Sequence, residues 1–204
     1  MPQSIPDFFT QQRPHRGMPP AEYQRYLEMK SAGARAKALA TRDEHERYLP
    51  LNLQRTNRIE STYTPSSKVR AAARAIQSLQ LWMVLTEPWC GDSAQNLSYI
   101  TKIAACSAAI DLRILLRDQN QDIMEAYLTN GTRSIPKLVA FDAQGRELFR
   151  WGPRPQPAAE LFSRLRESGG PSEDVRRKLH LWYARNRGRA LEEEFLALLN
   201  HTVL

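Results

Sequence analysis

The stretch TEPWCGDSAQN, Thr86 to Asn96, carries one thiol, one hydroxyl and one carboxylate within four positions: Cys90, Asp92 and Ser93. A cysteine with a second cysteine three positions on makes a dithiol centre, in which the second thiol attacks the mixed disulfide formed by the first. Here that third position is Ser93. A serine hydroxyl cannot resolve a disulfide, but it can donate a hydrogen bond to a thiolate and lower its pKa. The chemistry open to Cys90 alone is attack on a disulfide to form a mixed disulfide, which a thiol from outside must then release.

Whether Cys90 is reactive depends on its surroundings. A continuous apolar run, LWMVL, precedes it and a helical pattern, AQNLSYITKIAACSAAI, follows it, so Cys90 falls at a strand-to-helix junction. A helix N-terminus favours an anion, and a cysteine there is expected to ionise well below the free value of about 8.5. Asp92 works in two directions: its charge opposes a neighbouring thiolate, yet an acid in the first turn suits the helix. Glu87 adds further negative charge. The other cysteine, Cys106, lies 16 positions on. That is roughly 24 Å along a helix, far beyond the roughly 7 Å a disulfide allows. Cys106 reads as a small apolar residue on that helix.

The elements around the junction follow from periodicity. Residues 1–20 are rich in Pro and Gln without a period and read as an irregular arm. Residues 21–78 have helix composition, interrupted at Pro50, with a Ser66 cap signal before a last helix. The run from Leu79 to Leu85 is a buried strand, DLRILLRD a second, and KLVAFD and RELFRW a hairpin closed by AQG. A short helix, NQDIMEAYLTN, is expected to end at Gly131, and QPAAELFSRLRES to stop at Gly169 and Gly170. Two helices fill 171–204. The middle, 79–168, runs β, α, β, α, β, β, α, the pattern of an α/β domain with a mixed sheet and helices on both faces.

That order, with WCGDS after the first strand and SIPK before the hairpin, resembles the thioredoxin fold. TEPWCGDSAQN, RDQNQDIMEAYLTNGTRSIPKLV and WGPRP together resemble a bacterial thioredoxin-like subgroup with a single active-site cysteine. The resemblance covers residues 79–168. It implies Cys90 as nucleophile with Ser93 beside it, and a cis bond at Ile135–Pro136 whose backbone faces the cysteine and pairs with a substrate strand. It implies Trp89 flanking the thiol, and Gly152 giving substrate close approach. Arg154 would lie near the same surface and attract a carboxylate or thiolate, where a solvated loop arginine is the plainer reading. The family's buried aspartate and its lysine neighbour are replaced by Val84 and Ile114. CGDS also resembles monothiol glutaredoxins, but the phrase after the cysteine and Trp89 differ, so no iron–sulfur cluster is expected.

Composition narrows the rest. The net charge of +7 sits mainly in residues 1–79. Its arginines are scattered among acids, without the aromatic–glycine pattern of an RNA-binding sheet, so nucleic acid is not an expected partner. The scattered His15, His45, His180 and His201 follow no metal spacing, and neither metal nor cofactor is expected. No apolar run reaches membrane-spanning length, and no signal pattern opens the chain, which reads as cytoplasmic. Tyr48, Tyr63, Trp182 and Tyr183 are candidate anchors for a homodimer or protein client. The reading is thus a thioredoxin-like α/β domain with helical extensions, exchanging thiols with a protein disulfide or a low-molecular-weight thiol. The rival is a non-catalytic module that binds extended peptides in the groove at Pro136.

Overall fold

The computed structural model describes residues 5–37 and 44–202. Four helices precede the sheet: α1 (Asp7–Thr10), α2 (Pro20–Lys37), α3 (Glu44–Thr62) and α4 (Ser67–Arg74). Then follow β1 (Gln80–Thr86), α5 (Gly91–Ala104), β2 (Ile110–Leu116), α6 (Gln121–Glu125), β3 (Lys137–Asp142) and β4 (Glu147–Trp151). Helices α7 (Gln156–Glu167), α8 (Ser172–Asn186) and α9 (Arg189–Thr202) close the chain.

The sheet order is β2-β1-β3-β4, with β1 and β2 parallel and the other neighbours antiparallel. Central β1 is buried along its whole length, which is why its sequence is a continuous apolar run rather than an alternation. Its even residues, Trp82 and Val84, join Ile100 and Ile103 of α5 and Leu191 and Phe195 of α9 in one core. Its odd residues, Met83 and Leu85, face Phe9, Ile123, Met124 and Phe141 on the other side. Val84 stands opposite Ile114, both in apolar core.

Several elements differ from the sequence reading. The arm has order: α1 buries Phe9 against Phe141, and Met18 bridges to Ile114 on the outer edge of β2. Pro50 does not break its helix but lies inside α3, just after the buried Leu49 and two residues before the buried Asn52. Packing of that face outweighs the lost backbone hydrogen bond. Residues 38–43, which the sequence reads as part of one continuous helical stretch up to Pro50, lie outside the described residues. Helix α6 ends at Glu125, and Gly131 instead serves the turn where Thr129 and Thr132 exchange backbone bonds. Cys106 lies just past the end of α5, its thiol donating to the Lys102 carbonyl at 3.2 Å.

Candidate functional site

Strand β1 ends at Thr86, and the chain turns through Glu87, Pro88 and Trp89 into α5. Cys90 is the N-cap of that helix, extended at φ −75° and ψ 118°, and its sulfur accepts the Ser93 N–H at 3.5 Å. The thiol in turn donates to the carbonyl oxygen of Ile135 at 3.2 Å. The Ile135–Pro136 bond is cis. Thr86 Oγ1 donates to Ser93 Oγ at 2.6 Å, leaving the Ser93 proton free to turn toward sulfur.

Cys90 is only 8 % exposed. Burial pushes its thiol up to about 11, helped by the charge of Asp92 and opposed by hydrogen bonds from Ser93 and the helix N-terminus. This reverses the expected acidification. The N-cap position is there, but the loss of water outweighs it.

Cys90 itself is buried among apolar side chains of the α/β domain, and residues of the extensions cover the loop around it. The His45 ring stacks on Trp89 at 4.2 Å and 11°, and the Arg117 guanidinium lies 4.9 Å from the Trp89 centroid. Asn52, fully buried on α3, donates to the Pro88 carbonyl at 3.0 Å. From α8, His180 lies over Gly91, where a Cβ would come within 3.0 Å of its ring. No local pattern in the sequence marks these residues as parts of one site.

Beneath the thiol is a closed polar cluster. Arg154 pairs with Asp92 at 2.5 Å, and Tyr183 of α8 donates to the other Asp92 oxygen at 2.8 Å. Asn96 donates to the Asp92 carbonyl at 2.9 Å and to the Tyr183 hydroxyl at 3.1 Å. Burial pushes the Asp92 carboxyl up, while Arg154 and Tyr183 pull it back. Arg154 therefore faces inward and holds the acid of the motif, rather than lying free on a substrate surface. Gly152 has a similar role. A Cβ there would meet the Pro136 carbonyl oxygen at 2.2 Å, so its bare Cα admits the proline loop itself. Its φ of +104° also excludes most side chains.

Of the residues expected at the site, Trp89, Cys90, Ser93, Ile135 and Pro136 meet at the end of β1, with Gly152 behind the loop. A thioredoxin family model matches residues 39–167. This chain belongs to the thioredoxin family. Two solved structures share the fold. One is the crystal structure of an HIV epitope-scaffold: 20 % identity, 92 % of this chain and 94 % of that chain covered, TM-score 0.59. The other is a protein of unknown function from Pseudomonas aeruginosa: 22 % identity, 73 % and 81 % covered, TM-score 0.53. No curated protein matches the chain. Among its described residues no helix is long and apolar enough to cross a membrane. In this thioredoxin-family member the two helical extensions lie over the cysteine's own loop.

Proposed function

We propose that the protein carries out thiol–disulfide exchange through Cys90 alone, from a resting state in which the thiol is covered and protonated. The observation that supports this reading is the position of the Cys90 sulfur, capping α5 and 3.2 Å from the Ile135 carbonyl of the proline loop. An incoming extended peptide that pairs with Ile135 takes over that carbonyl and frees the thiol. Cys90 then loses its proton to solvent, and the thiolate attacks one sulfur of a disulfide. The S–S bond breaks, one thiolate leaves, and Cys90 holds the other sulfur as a mixed disulfide. A low-molecular-weight thiolate displaces it and regenerates Cys90, so the cycle involves no net gain of electrons by the protein. Cys106 takes no part, because it lies just past the far end of α5, roughly 24 Å along the helix direction from Cys90.

The test is intact mass after incubation with oxidised glutathione, with a Cys90→Ser control. A single adduct on the wild type, absent from the control and removed by reduced glutathione, is expected. No adduct at any pH up to about 11, the value to which burial pushes the thiol, would contradict the reading. A second reading, peptide binding without exchange, has its own support in the 8 % exposure of Cys90 and its raised thiol pKa. It predicts that Cys90→Ser leaves peptide affinity unchanged and that no adduct forms.

A further inference from the structure

Farther along α5, helices α3 and α8 leave a cavity of about 490 Å³. Arg58 and Thr62 of α3 and Arg187 at the end of α8 line it, with Ile59, Tyr63 and Tyr99 supplying ring and aliphatic surface. Among the described residues no carboxylate lines it. Neither guanidinium pairs with a described residue, whereas Arg13, Arg113, Arg117 and Arg133 each hold an acid. Both residues nevertheless line the same cavity. Each pulls on the Tyr99 hydroxyl, opposing the upward push of burial.

The chain holds Arg187 there by its backbone. Arg187 caps α8 in the left-handed region at φ 53°. Gly188 follows at φ 80°, so close to Tyr99 that a Cβ would lie 2.3 Å from the ring. The turn that ends α8 is thus seated on Tyr99, with Arg187 lining the cavity. Two uncompensated guanidinium groups converging on one space suit a group with two negative charges and several acceptor oxygens. A carboxylate satisfies one fork, whereas a phosphate monoester satisfies two. The ring and aliphatic wall suits an organic body attached to it.

We propose that this cavity binds a small organic phosphate, with Arg58 and Arg187 on the phosphate and Tyr99 and Ile59 against its organic part. The site is independent of Cys90 and does not rest on the exchange reading. The test is calorimetric titration of the full chain with phenyl phosphate, inorganic phosphate and phenol. Phenyl phosphate is expected to bind tightest and phenol not at all. Arg58→Gln and Arg187→Gln are each expected to weaken phenyl phosphate about tenfold or more, the loss of one charge-assisted contact. Arg58 is exposed on its helix, so its variant keeps the test open if Arg187→Gln disturbs the turn. No binding at millimolar phenyl phosphate, or binding that neither substitution weakens, would overturn the proposal. Equal affinity for inorganic and phenyl phosphate would overturn its organic part.

Discussion

Two regions along α5 treat charge in opposite ways. At the first turn Asp92 is buried with Arg154 and Tyr183, and the cysteine beside it is kept from water. Two turns on, Arg58 and Arg187 stand without acids around an open cavity. The same helices, α3 and α8, contribute to both regions. The difference teaches that these extensions close one region and leave another open, so they do more than thicken the core.

The largest effect is expected at the closed end. Asp92→Ala leaves the largely covered Arg154 charge without its acid, which is expected to cost about 2–4 kcal/mol, somewhat under the cost of breaking a fully buried pair. Urea unfolding checks this, and a loss below about 1 kcal/mol, the range of an exposed pair, would dissolve the contrast between the two ends.

Next comes acid sensitivity. Burial, with Arg55, Arg154 and Arg176 nearby, lowers His180 from 6.5 to about 4. The unfolded chain therefore binds a proton below 6.5 that the folded chain refuses until about 4. Stability falls as pH drops through that window, by up to about 3 kcal/mol. His180→Gln should flatten this slope in unfolding curves taken at intervals across the window.

Tyr183→Phe removes the donor to Asp92 and the acceptor for Asn96 while keeping the ring. A loss of about 1–3 kcal/mol is expected, together with faster alkylation of Cys90 if the cover of α8 loosens. Arg58→Gln, at the open end, should change stability by no more than about 0.5 kcal/mol, as for a surface substitution. A large loss there would mean that Arg58 has a structural partner after all.

The sequence makes the sheet and the loop legible because their signals are local. The apolar run of β1, the AQG turn of the hairpin and the WCGDS phrase each lie within a few residues. The cover is not local: 85 positions separate Gln95 from His180, whose side chains meet at 3.3 Å. Asn52 carries no mark that it will bind the Pro88 carbonyl. The same limit explains the thiol. A helix N-terminus can be read from the sequence and predicts an acidic cysteine, whereas the burial of Cys90 among Met83, Leu85, Ile123 and Ile135 is assembled from distant elements and reverses the sign. Arg154 shows it again, since its proximity in sequence to Gly152 says nothing of Asp92 on another element.

The most direct test of the central claim is the rate of Cys90 alkylation against pH in a Cys106→Ser background. With the thiol covered and protonated at rest, the rate should climb steadily through neutral pH toward a midpoint at about 11. Asp92→Asn should bring that midpoint down by removing the charge beside the sulfur. A midpoint near or below neutrality in the wild type would contradict this account, since it would mean a thiolate already held ready beside Ile135.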